Sequence, residues 1–234
     1  MNRNYFLFAL ILLLTFGSSF GQSLSAPQET ISKKKPAYIT YVNGEEIQAF
    51  IKSYKVKKGL FKSIKIEKAD GTVANVPATE IKSMYAAPTG FEKLMNKVDF
   101  LSDIEKWGNE EIKGDYLNQG YGFYEQSKVK VKKKEQVLLL QLLNPSFCKS
   151  VKVYNDPFAK KTAGVGVAGV GVGYQDKSYY MKKANEEVAY LIEKKDYKGD
   201  FETIWKNCAG VKAKYEKIKW NEFVQHLISY TECE

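Results

Sequence analysis

Between residues 37 and 86 apolar and polar side chains alternate in short runs, and two of the breaks are Asn43-Gly44 and Asp70-Gly71. Few folds accept that pattern. A period of two sends successive side chains to opposite faces of a strand. Asn-Gly or Asp-Gly between such runs supplies the positive φ angles of a tight hairpin. The runs cover residues 37–42, 47–51, 60–66, 72–76 and 82–86, and residues 77–81 read as one helical turn before the last. Five short strands in about 50 residues predict a small curled sheet or SH3-like barrel over residues 37–88.

Residues 89–195 continue as a β-rich region. Strands are expected at 120–124, at Lys128-Val129-Lys130-Val131-Lys132, at 151–154, 178–181 and 188–192. The apolar run 137–143 reads as a strand or helix turn buried all round. Phe91, Leu94, Met95 and Val98 have helical spacing. Residues 196–234 change period: Phe201, Ile204, Trp205 and Cys208 make one apolar stripe with Asp200 as N-cap, and Trp220, Phe223, Val224, Leu227 and Ile228 make a second. The expected fold class is α+β, mainly antiparallel β with an N-terminal SH3-like curled sheet and two C-terminal amphipathic helices.

The first 21 residues form an address. Arg3 precedes an apolar stretch from Tyr5 to Phe16, and Ser19 and Gly21 sit at the small-residue positions of a cleavage site before Gln22. The apolar stretch is too short for a spanning helix, so the expected product is exported, periplasmic or secreted, with no transmembrane segment after cleavage. Residues 22–36, with Pro27, Pro36 and Lys33-Lys34-Lys35, read as a disordered leader. The formal net charge is +9, of which only Arg3 lies in the address. In an exported protein that excess suits acidic envelope components rather than nucleic acid.

One histidine in 234 residues speaks against most imidazole-based hydrolysis. That residue, His226, falls on the polar flank of the last stripe and is expected to be solvated. Gly164-Val165-Gly166-Val167-Ala168-Gly169 matches G-x-G-x-x-G, yet no strand enters it, and repeated glycines do not hold the helix a dinucleotide needs. A glycine-rich hairpin is expected instead, with residues 164–173 offering a flat edge through which copies could associate. Asp99, Asp103, Glu105, Glu110 and Glu111 lack the spacing of a calcium loop and read as a solvated acidic group. No catalytic, cofactor or metal residue is assigned.

Two groups remain. Cys148, Cys208 and Cys233 contain no C-x-x-C pair, and in an oxidising compartment Cys208 and Cys233 can staple the terminal helices, leaving Cys148 buried and reduced. Lys128, Lys130 and Lys132 line one face of a strand. They are expected to protect a sheet edge, with contact to polyanions as the alternative.

Several stretches together resemble a group of uncharacterised exported proteins of Bacteroidetes. They are the hairpin Tyr38-Ile39-Thr40-Tyr41-Val42-Asn43-Gly44-Glu45-Glu46-Ile47, the step Pro77-Ala78-Thr79-Glu80-Ile81, Val153-Tyr154-Asn155-Asp156-Pro157, the strand from Ser178 to Lys183, and the closing segment from Phe223 to Cys233. The resemblance implies a fold and a destination but no catalytic residues. The expected function is non-enzymatic binding of an unknown protein or an envelope component through the β surface. The alternatives are an envelope-polymer hydrolase with unidentified carboxylates and a structural protein that self-associates through the Gly/Val stretch.

Overall fold

The computed structural model describes residues 23–89, 112–159 and 176–233. The address, the stripe from Phe91, the acidic group and the Gly/Val stretch therefore lie outside the described residues.

Strands β1 (Pro36–Tyr41), β2 (Glu46–Lys57), β3 (Leu60–Lys68), β4 (Val73–Pro77) and β5 (Ile81–Ala86) form an antiparallel meander in the order β4-β3-β2-β1-β5. A 3₁₀ turn, Ala78–Glu80, precedes β5. The turn residues act as their chemistry dictates: Gly44 and Gly71 take φ of +90° and +81°, and the Asn43 and Asp70 side chains accept from the amides of Glu45 and Thr72. A third tight turn, at Lys58-Gly59 with φ of +53° and +77°, joins β2 to β3.

After the short helix α1 (Gly114–Asn118), β6 (Gly122–Val131) pairs with β5 and carries the sheet onward through β7 (Lys134–Leu142), β8 (Val151–Asn155), β9 (Ser178–Lys183) and β10 (Val188–Glu193). β10 then returns to β6 in parallel, Val188 opposite Lys128 and Ala189 opposite Val129, which closes strands β6 to β10 into a five-stranded barrel.

One sheet thus serves two interiors, and side-chain parity shows how. Met84 faces Tyr124 across β5 and β6, and both join a core with Ile39, Ile51, Ile64, Ile66 and Ile81. Their neighbours Tyr85 and Phe123, also in register, point to the other face and join Leu140, Leu142, Tyr154 and Tyr180 inside the closed barrel. This explains the run 137–143. From Leu139 to Leu142 β7 is buried on both faces: Leu139 enters the first core, Leu140 and Leu142 the barrel, and Gln141 accepts from the Gln28 amide and donates to the Ala26 carbonyl. Val137, near the hairpin, stays exposed.

The expected disordered leader is instead an extended strap. The Ser25 amide donates to the Leu143 carbonyl at 2.6 Å, the Gln28 amide to Gln141 Oε1 at 2.7 Å, and the Ser32 amide to the Ala87 carbonyl at 2.8 Å. Ile31 enters the first core. Its polar composition suggested disorder, but the hydrogen-bonding groups of the shared sheet hold it down. Gly122 leaves room for the end of the Gln28 side chain, which a Cβ at that position would displace.

The C-terminal region has three short helices rather than two: α2 (Tyr197–Ile204), α3 (Ala209–Lys214) and α4 (Phe223–Thr231), the last entered through a 3₁₀ turn, Trp220–Glu222. α2 starts a turn earlier than the Asp200 cap implied, because Tyr197 extends the buried stripe with Phe201 and Ile204. It ends before Cys208, which caps α3 by accepting from the Val211 amide. These helices pack on Val151, Val153, Tyr179, Met181 and Ile192, the outward face of the barrel. Buried Lys183 on β9 pins the contact by donating to the Ile204 carbonyl at the C-terminus of α2, with the Trp205 and Tyr230 rings at 5.9 and 5.1 Å.

Candidate binding surface

On the barrel-side face of the shared sheet, Tyr38, Tyr85 and Phe123 lie side by side in register on β1, β5 and β6. Residues 112–121, ahead of β6, lie over them. The Lys113 amide donates to the Tyr85 hydroxyl at 2.7 Å and fixes the entry to α1, which lays Tyr116 flat on Tyr38 with ring centroids 4.0 Å apart. Tyr121 completes the group, 5.8 Å from Tyr38 and 5.9 Å from Tyr116, and Tyr85 lies 4.9 Å from Tyr116. Tyr85 and Tyr121 are buried, whereas Tyr38 and Tyr116 are half-buried. Burial pushes the Tyr85 hydroxyl up to about 12, and burial together with the neighbouring tyrosines raises Tyr121. Tyr85 and Tyr121 therefore stay neutral phenols, and the group presents flat apolar rings with hydroxyls at their edges. That combination suits a partner with an apolar face and polar edges. The exposed Lys113–Glu46 ion pair at 3.2 Å stands beside it.

The barrel holds a polar group that the sequence did not single out. Glu125 on β6 accepts from Lys152 Nζ at 2.9 and 3.0 Å and from the Tyr154 hydroxyl at 2.6 Å. Tyr154 is fully buried, and burial and the Glu125 charge both raise its pKa, so it stays a donor. Each carboxylate oxygen is occupied, which makes this a satisfied ion pair in the barrel wall. A glutamate and a lysine between apolar residues of two strands were the available signal.

The lysine strand is not an edge. β6 is paired with β5, β7 and β10, the most connected strand of the sheet. Lys128 lies 3.9 Å from Glu187, Lys130 stands opposite Glu135, and Lys132 is in the turn to β7 with φ of +57°. Alternation identified the strand but carried no information about its neighbours.

His226 is fully buried, not solvated. Its Nδ1 lies 2.6 Å from the Tyr197 hydroxyl, which also accepts from Trp205 Nε1 at 3.2 Å. The buried Nε2 has no hydrogen-bond partner among the described residues. The Tyr215 ring stands perpendicular to the imidazole at 4.2 Å. Burial pulls His226 down to about 4, with Glu222 opposing. Cys208 and Cys233 are joined as a disulfide with Cα atoms 5.8 Å apart, and Cys148 is buried away from it, its thiol donating to the Pro145 carbonyl at 3.4 Å. Closing that 25-residue separation stabilises the helical region by about 3 kcal/mol in the chain-entropy estimate.

Among the described residues no three His, Cys, Asp or Glu side chains gather as metal ligands, and no helix is long and apolar enough to cross a membrane. No family model, curated protein or solved structure matches the chain.

Proposed function

We propose that this is an exported, non-enzymatic binding protein of the periplasm or extracellular space, which holds a partner protein or an envelope component through its β surface. The Tyr38–Tyr116 stack carries this reading: two half-exposed rings, backed by buried Tyr85 and Tyr121, form an ordered amphipathic platform. The N-terminal address supports export, and the Cys208–Cys233 bridge suits an oxidising compartment. The meander order β4-β3-β2-β1-β5 with a 3₁₀ turn before β5 supports an SH3-like reading of the first half, a scaffold that offers its sheet for contacts. The resemblance to exported Bacteroidetes proteins points the same way.

Affinity capture from envelope extracts tests the platform. Replacing Tyr38 and Tyr116 together by alanine should weaken retention of the captured partner by about tenfold or more, as expected for central aromatic anchors. Circular dichroism should show a native β spectrum for that variant. Retention that is unchanged in the folded double variant would move the binding surface elsewhere.

A further inference from the structure

The β2–β3 hairpin gathers five exposed lysines whose register neighbours along the strands are neutral. Lys55, Lys57, Lys58, Lys62 and Lys65 are all exposed. By register Lys55 faces Ser63, Lys57 faces Leu60 and Lys65 faces Ser53 on β2 and Asn75 on β4, so every directly opposite residue is neutral. In the other lysine-rich hairpin Lys130 faces Glu135 and Lys128 approaches Glu187. Among the described residues, the ion pair joining β2 and β3 is Lys52–Glu67, and it involves none of the five. Lys55, Lys57 and Lys65 alternate onto the outer face, Lys58 occupies the turn, and Lys62 is the extra residue at the shift between Lys55 and Val56.

Two further features accompany the charge. Val56, 47% exposed, lies next to Lys55 and Lys57 close to the tip. The tip is also seated. A Cβ on Gly59 would overlap the backbone and side chain of Pro157, so the hairpin rests against the segment after β8 and presents its lysines from a fixed frame. Uncompensated lysines on a hairpin whose other face exposes an aliphatic side chain near the tip match the chemistry of an anionic bilayer surface, where headgroups meet ammonium groups and a short apolar side chain at the tip can enter the interface. We propose that the β2–β3 hairpin docks the protein onto anionic phospholipid, independently of the tyrosine platform.

Co-sedimentation of the full chain with vesicles decides this. Vesicles of phosphatidylcholine and of phosphatidylcholine mixed with phosphatidylglycerol are compared, so that any contribution of the apolar N-terminus is common to every arm. The wild type should bind the phosphatidylglycerol vesicles more tightly, and raised salt should remove the difference because exposed charges are screened. Replacing the five lysines by glutamine should abolish the preference, each lysine contributing about a fivefold factor. Replacing Lys128, Lys130 and Lys132 by glutamine should leave it intact. Val56→Ser, which keeps all the charge, should weaken binding to a smaller extent. Equal binding to both vesicle types, or a preference retained by the folded five-lysine variant, would overturn the proposal. So would an equal loss in the Lys128/Lys130/Lys132 variant, or retention by heparin without retention by vesicles, which would identify a soluble polyanion site.

Discussion

The core of the N-terminal meander and the layer between the barrel and the C-terminal helices are built from different materials. The first, inside the N-terminal meander, is aliphatic: Ile39, Ile51, Ile64, Ile66 and Ile81 from successive strands. The second, where the helices meet the barrel's outer wall, is aromatic: Tyr179, Tyr197, Phe201, Trp205, Trp220, Phe223 and Tyr230. Tyr179 stacks on Phe223 at 5.5 Å and on Trp220 at 5.7 Å, and Tyr197 meets both Trp220 and Phe223 edge to face. Aliphatic strands hold each other by backbone ladders as well as by burial. Three helices of six to nine residues cannot stand alone and depend on side-chain packing, a disulfide and a few buried polar contacts.

Paired truncations give the largest separation between these regions. Trp205→Ala removes a fully buried indole and should cost about 4 kcal/mol, while Ile66→Ala in the first core should cost about 3 kcal/mol. The pattern matters more than the totals. Native-state hydrogen exchange should show α2, α3 and α4 losing protection first in Trp205→Ala, with β1 to β5 little changed. Uniform loss across both regions would mean that the helices and the meander open as one unit, and the contrast would fail.

The same contrast governs what can be read from the chain. In the meander, burial follows an alternation visible in the residues, and the turn chemistry at Asn43-Gly44 and Asp70-Gly71 fixes where each strand stops, so strands and hairpins were legible. Their pairing partners were less so. Nothing in Lys128-Val129-Lys130 says that β10 returns from about 60 residues away to lie beside it, since that closure is set by long-range packing. In the helical region the period was right and the stripe Phe201, Ile204, Trp205 and Cys208 is buried as expected, but the last stripe is turned by part of a helical turn. Phe223, His226, Leu227 and Tyr230 form the buried stripe, whereas Val224 and Ile228 are only half-buried. An apolar scale assigns histidine outward. The Tyr197 hydroxyl, 29 residues away in sequence, gives its Nδ1 a partner inside the core, while the buried Nε2 has none among the described residues. The tyrosine platform escaped notice for a similar reason: its members lie on β1, β5, α1 and the segment before β6, and single tyrosines in strands and loops carry no signal of convergence.

A pH titration sharpens the comparison, because His226 belongs to the helical region alone. Its folded-state pKa lies at about 4, below the usual 6.5, because burial penalises the cation, with the Glu222 charge opposing. An unfolded histidine binds its proton near 6.5. The stabilisation from keeping it neutral is therefore complete above pH 6.5 and falls as pH drops toward about 4, by up to about 3 kcal/mol. Asp156, raised by burial, has the opposite sign and favours the folded state at low pH. The difference between wild type and His226→Gln isolates the histidine. In urea titrations the wild type should lose stability between pH 6.5 and 4 and the variant should lose less. Parallel curves would show that the imidazole takes up its proton in place.

The smallest effect tests whether the strap truly joins the two regions. Gln28 lies across the shared sheet, donating from Nε2 to the Ala86 carbonyl at 3.2 Å and accepting from the Tyr124 hydroxyl at 2.9 Å. Gln28→Ala removes both contacts and leaves the Tyr124 hydroxyl without this acceptor, for a cost of about 1 kcal/mol. Gly122→Ala should also destabilise, because the new Cβ occupies the space of the Gln28 side chain. Once Gln28 is truncated that space is empty. The double variant should therefore be more stable than the sum of the two single changes predicts, with a coupling of about 1 kcal/mol measured from urea midpoints. Additive costs would show that the cost at Gly122 arises from something other than the strap. The first region and the barrel would then be joined through the β5–β6 ladder without help from residues 23–35.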